Sequence, residues 1–183
     1  MMDKLRKGLL YWLMAVLVLG CALTPSAPVA PPPADEAIIP AGAAPPANGQ
    51  QARVTRVIDG DTIDVTIDGT GYRVRYIGIN TPERDEPCYA EARAANRALV
   101  EGRTVTLVRD QSETDRFGRL LRYIYVDNIN VNAQLVAQGW AEAVEYPPDT
   151  AQTAFFRELE RRARAANLGC HPTGIFNDGS DMR

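Results

Sequence analysis

The run Arg73-Val74-Arg75-Tyr76-Ile77-Gly78-Ile79-Asn80-Thr81-Pro82-Glu83 gathers guanidinium, amide, hydroxyl and carboxylate groups within a few residues. It reads as a strand that runs into a polar loop. With a period of two, Tyr72, Val74 and Tyr76 point one way and Arg73, Arg75, Ile77 and Ile79 the other. Arg75 thereby shares a face with two isoleucines. A guanidinium drawn toward an apolar face needs an anion opposite it, because it cannot shed its proton to escape desolvation. The oxygens of Asn80 and Thr81 and the carboxylate of Glu83 follow in the next loop. Such a set could hold a phosphate, a metal ion and a water together. The plainer alternative is an Arg–Glu ion pair on the surface.

Two other stretches carry charge at turns. Asp59-Gly60-Asp61 sits between two β-rich runs. An Asp before Gly suits a tight hairpin, so turn chemistry accounts for Asp59. Asp61 is less needed by the turn and is the better ligand candidate. The second stretch is Thr114-Asp115-Arg116-Phe117-Gly118-Arg119.

The elements that must position these groups follow from periodicity and turn residues. Arg53 to Ile58, Thr62 to Ile67 and Tyr72 to Ile79 form a three-stranded meander. Cys88 to Glu101 is helical, with Tyr89, Ala92, Leu99 and Val100 inward and Gly102 as its stop. Strands follow at Thr104–Arg109 and Leu120–Val126. A short helix fits Val131–Gln138, capped by Asn130 or Asn132 and stopped by Gly139. The last helix is capped by Asp149, with Gln152 as capping-box partner. Phe155, Phe156, Leu159, Ala163 and Ala166 line its inner face, and Glu158–Arg162 and Glu160–Arg164 pair on the outer one. Three strands, a helix and two strands is the order of a five-stranded OB-type barrel, here with two further helices beside it, a mixed β and α fold.

The chain starts with Lys4, Arg6 and Lys7, followed by the apolar run Leu9 to Leu19 and by Gly20-Cys21. A basic start and a short apolar run make an export signal at 1–20. Val18-Leu19-Gly20-Cys21 resembles a bacterial lipobox, which predicts a lipid on Cys21 and a membrane anchor. A chance Cys beside a plain signal peptide is the alternative. Residues 21–50 are Ala- and Pro-rich and read as a disordered tether; 51–176 is the folded domain, and 177–183 a flexible tail. Beyond residue 20, seventeen basic side chains face twenty-two acidic ones, and no lysine follows Lys7. That acidic balance argues against broad electrostatic binding of nucleic acid; a polyanion would have to be gripped locally.

Together these motifs resemble the staphylococcal nuclease (thermonuclease) family. The matching residues are Ile58-Asp59-Gly60-Asp61-Thr62, Arg75 with Asn80-Thr81-Pro82-Glu83, and Asp115 to Arg119 leading into Tyr123-Ile124-Tyr125. Val131 to Val136 with Gly139 is similar to that family's second helix. The resemblance runs from about Arg53 to about Phe176. It implies a five-stranded OB barrel with three helices and Ca²⁺-dependent cleavage of DNA or RNA. It assigns Asp61, Asn80 and Thr81 (through its carbonyl) to the ion, and Glu83 to the attacking water. Arg75 and Arg119 would bind the scissile phosphate. The family's type enzyme has Asp where Asn80 stands, so weaker Ca²⁺ binding is expected. Phe117 and Tyr146 fall where members stack a base; packing is the alternative for both.

With Cys21 lipidated, Cys88 and Cys170 remain as an even pair in an exported protein, and a disulfide is expected; two free thiols are the alternative. His171 reads as a surface histidine. The functional expectation is a monomeric, exported, lipid-anchored nuclease acting on DNA or RNA at the cell envelope. Its rivals are a non-catalytic OB module that binds single strands or a protein partner, and a structural envelope lipoprotein.

Overall fold

The computed structural model describes residue 47 and residues 49–177. The signal segment, Cys21, most of the tether and the tail from 178 lie outside the described residues. No helix among the described residues is long and apolar enough to cross a membrane.

The strands are β1 (Gln50–Val57), β2 (Thr62–Ile67), β3 (Thr70–Tyr76), β4 (Ile79–Asn80), β5 (Thr104–Val108), β6 (Leu120–Val126), β7 (Ile129–Asn130) and β8 (Glu142–Ala143). The helices are α1 (Tyr89–Val100), α2 (Val131–Ala137) and α3 (Thr153–Ala165), followed by two 3-10 turns at His171–Thr173 and Ile175–Asn177. β1, β2, β3, β5 and β6 form a closed barrel. β1 pairs antiparallel with β2 and β5, β2 with β3, and β5 with β6. A parallel pairing of β3 with β6, from Val74↔Leu120 to Tyr76↔Arg122, closes it. Buried β-branched residues drive this: Val54, Val57, Ile63, Val65 and Val74, with a register shift between Val54 and Arg56 that turns Val57 inward. Each such side chain contributes about 1.5–3 kcal/mol by leaving water. The fold is the five-stranded OB-type barrel with three helices.

The third strand departs from expectation. β3 ends at Tyr76, and Gly78 at φ +75° turns the chain. Ile79 and Asn80 then pair with Ala143 and Glu142 in a separate two-stranded ladder. Arg75 therefore does not share a strand face with Ile77 and Ile79, although both isoleucines are fully buried.

α2 is capped by Asn130, whose side chain accepts from the Ala133 N–H at 3.0 Å. Asn132 does other work: it accepts from the Ile124 N–H and donates to the Ile77 carbonyl, each at 2.9 Å. α3 starts later than expected. Asp149 is not its cap, and Gln152 accepts from the Asn130 side chain instead. Phe156, Leu159 and Ala163 are buried, but Phe155 and Ala166 are exposed, because the packed stripe is narrower than the apolar one. Both outer pairs form, Arg162 to Glu158 and Arg164 to Glu160.

Cys88 and Cys170 are joined in a disulfide with Cα atoms 5.6 Å apart. They sit in a small apolar cluster with Ala92 and Phe176, below the start of α1. His171 is buried rather than on the surface, with its ring edge-on to Phe176.

Candidate active site

One end of the barrel holds a cavity of about 630 Å³. Its walls come from the turn after β1, the end of β3, the loop before α1, the loop between β5 and β6, and the loop between β8 and α3. Asp59, Asp61, Arg75, Glu83, Phe117, Arg119 and Tyr146 all line it. Two guanidiniums distant in sequence therefore face one space, beside the carboxylates of Asp59, Asp61 and Glu83.

The turn after β1 is held by its own side chains. Asp59 accepts from the Asp61 N–H at 3.1 Å, as an Asp before Gly does in a tight turn. Gly60 is there because Thr81 presses on it: a Cβ at Gly60 would lie 2.6 Å from Thr81 Oγ1. Thr81 in turn gives both its N–H and its hydroxyl to Asp61 Oδ2, at 2.9 and 3.0 Å. Asp61 is almost wholly buried, and Arg75 Nη2 lies 3.2 Å from the same oxygen. The anion that a buried Arg75 demands is Asp61.

Arg75 is held from inside. Its Nη1 donates to the carbonyls of Tyr76 and Ile79 at 2.8 and 2.9 Å, and its Nη2 to Asn80 Oδ1 at 3.0 Å. Both terminal nitrogens thus face protein acceptors, and the planar fork expected to clasp a phosphate is turned inward. What Arg75 offers the cavity is its charge. Arg119 is arranged the other way. Its Nε donates to Asp115 Oδ2 at 2.6 Å, and its terminal nitrogens make no hydrogen bond among the described residues. Asp115 also accepts the N–H groups of Phe117 and Arg119. Burial would raise the Asp115 carboxyl, but the Arg119 side chain and these N–H groups hold it below the usual range. The turn is thereby built to present Arg119 fork-outward. Phe117 stands 68% exposed at the rim, outside the core, with the Arg116 and Arg119 guanidiniums 4.7 and 5.5 Å from its ring centre. Tyr146 is half-buried in the cavity wall.

Glu83 is exposed at the rim of the cavity. Partial burial and then the nearby charge of Asp61 raise its carboxyl, while Arg75 and Arg119 act to lower it. Asp59 is shifted further. Burial first, and the Asp61 charge second, push it up to about 7. Asp59 is the residue that turn chemistry concealed; its spacing of two from Asp61 across a Gly was the available signal. Asn80 and Thr81 are buried and do not line the cavity, although Thr81 touches Asp61 directly. Asn80 connects Arg75 to buried Glu142, whose Oε1 accepts from Asn80 Nδ2 at 3.2 Å.

Two carboxylates crowded together, one of them pushed toward neutrality, suit a divalent cation, which would relieve their repulsion. Among the described residues no three His, Cys, Asp or Glu side chains converge on one point. An ion here would therefore rely on backbone or water oxygens for the rest of its shell.

A family model described as "Staphylococcal nuclease homologue" matches residues 73–170, more than half of the chain. The SPbeta prophage-derived endonuclease YokF of Bacillus subtilis (strain 168) is 39% identical over 121 residues, which are 62% of this chain and 41% of that protein. The chain thus spans less than half of YokF. The thermonuclease of Staphylococcus intermedius is 34% identical over 127 residues, 66% of this chain and 75% of that one. The thermonuclease of Staphylococcus hyicus is 31% identical over 170 residues, 89% of this chain and 95% of that one.

Proposed function

This chain belongs to the staphylococcal nuclease family and is a nuclease, and we propose that it hydrolyses DNA or RNA with Ca²⁺ outside the cytoplasm, held at the cell envelope by a lipid on Cys21. The observation that supports the chemical part most is the shared cavity: Arg75, Arg119, Glu83, Asp59 and Asp61 all line it.

Hydrolysis of a phosphodiester builds negative charge on a five-coordinate phosphorus. Asp61, with Asp59 beside it across Gly60, would hold the ion. A bound Ca²⁺ would supply neutralising charge at the phosphoryl oxygens. Arg119 meets the phosphate with a planar fork that matches two of its oxygens, which Lys cannot do. Arg75 adds fixed positive charge from the floor of the cavity, already oriented before substrate arrives. Glu83 positions the attacking water and takes its proton; its raised carboxyl suits a base that must work near neutral pH. Phe117 and Tyr146 offer faces on which bases can stack.

The test is release of acid-soluble nucleotides from single-stranded DNA and from RNA by the purified chain, with Ca²⁺ and with chelator. Cleavage that needs Ca²⁺ is expected. Tight binding of single strands with no cleavage under any metal would support the non-catalytic reading instead. Labelling with palmitate and recovery in the membrane fraction, both lost in Cys21→Ser, test the anchor.

A further inference from the structure

We propose that Asn80 is a positioning residue for Arg75, with its amide locked by Glu142, and that it is not a ligand of the ion. The inference rests on the nuclease reading of the cavity and changes the part played by one of its residues. Asn80 has no exposed surface at all, and it is not among the residues lining the cavity. Its Oδ1 accepts from Arg75 Nη2 at 3.0 Å. Its Nδ2 donates to Glu142 Oε1 at 3.2 Å. The two contacts fix which end of the amide points where, since only the oxygen can accept from a guanidinium and only the NH₂ can donate to a carboxylate.

The backbone explains how this pair meets. Asn80 and Glu142 are cross-strand partners in the β4–β8 ladder, with Ile79 opposite Ala143. Glu142 is itself buried. The chain Glu142–Asn80–Arg75–Asp61 thus runs from that ladder to the cavity floor through contacts of 3.2, 3.0 and 3.2 Å. An amide suits the middle place because it can accept on one side and donate on the other. A carboxylate there would need a proton on one of the two side chains, since two ionised carboxylates offer each other no donor. Asn supplies that donor itself, which suits the place without making it a ligand.

The test compares Glu142→Ala, Asn80→Asp and the double variant Asn80→Asp/Glu142→Gln in the full chain. Three quantities are read: the Arg75 guanidinium ¹⁵N signal, assigned by its loss in Arg75→Lys; Ca²⁺ affinity by calorimetry; and kcat and KM on single-stranded DNA. Glu142→Ala is expected to move the Arg75 signal through the loss of the Asn80 contact. It should lower kcat about tenfold or more, as slight misplacement of a catalytic group does, and leave Ca²⁺ affinity unchanged. Asn80→Asp alone should also move the signal and lose kcat. The double variant should recover both, because the amide introduced at position 142 can donate to the new carboxylate. If Glu142→Ala does not fold, recovery in the double variant relative to Asn80→Asp decides the matter. An Arg75 signal unmoved in the folded single variants overturns the proposal whatever the activity. So does a rise in Ca²⁺ affinity in Asn80→Asp without loss of kcat, the result a ligand would give. A wild-type chain that neither binds Ca²⁺ nor cuts nucleic acid would defeat the nuclease reading; the Arg75 signal would still decide the role of Asn80.

Discussion

Arg75 and Arg119 carry the same group in opposite postures. Arg75 spends its terminal nitrogens on Tyr76, Ile79 and Asn80, whereas Arg119 is anchored through Nε by Asp115 and keeps its fork outward. Removing Arg119 should therefore cost chemistry and little stability. Arg119→Ala is expected to melt close to wild type and to lose about a hundredfold or more in kcat, the usual cost of one pre-organised donor. Glu83→Gln should behave alike, since Glu83 is exposed and a general base typically adds about 10²–10⁴-fold. Thermal melts and acid-soluble nucleotide release check both, and near-full activity in either variant removes that residue from the mechanism. Asp59 makes a prediction about pH. Its folded carboxyl is pushed up to about 7 from the ordinary 3.8, so between those values the folded state holds a proton that the unfolded state has released. The stability it lends is full below pH 4 or so and is lost as pH rises through about 7. Urea midpoints without added metal should fall across that window in wild type and less so in Asp59→Asn; parallel curves would count against the shift. Residue types were legible from the chain: a buried Arg needs an anion, and Asp61 is that anion. The direction of each guanidinium was not: that of Arg75 depends on carbonyls around the turn at Gly78, and that of Arg119 on Asp115.

At the level of elements, the barrel and helices could be read from alternation and turn residues, most plainly in β2, where Ile63, Val65 and Ile67 are buried on one face. Where reading failed, tertiary partners outbid local signals. Asp149 looks like a helix cap followed by Gln152, yet its carboxylate accepts from the N–H groups of Gln111 and Ser112 and ties down the cavity loop instead. Phe155 fits the apolar stripe of α3, but Phe156 alone fills the space beneath Gly78, where a Cβ would come within 3.0 Å of its ring. The disulfide was legible from cysteine number and an export signal. It joins residues 82 apart in sequence and pins the start of α1, just after the Glu83 loop. On the chain-entropy model such a link is worth about 4 kcal/mol. Reduction and alkylation should lower the melting temperature by on the order of 10 °C. Alkylation of both cysteines in the untreated folded protein would instead show the bridge to be absent.

For the whole molecule, the acidic balance fits a protein that grips its substrate at one place. The cavity sets Arg75, Arg116 and Arg119 among Asp59, Asp61 and Glu83, so charges of both signs meet there. The sharpest measurement is a double-mutant cycle on single-turnover cleavage of DNA in saturating Ca²⁺, using Arg75→Gln, Arg119→Lys and both. The first removes the charge that Arg75 supplies, and the second keeps the charge of Arg119 but discards its planar fork. If the two groups serve one phosphate, each single variant should lose about a hundredfold, and the double should lose far less than the product of the two. Losses that multiply in full, or single variants that cut at the wild-type rate, would contradict a shared hydrolytic centre.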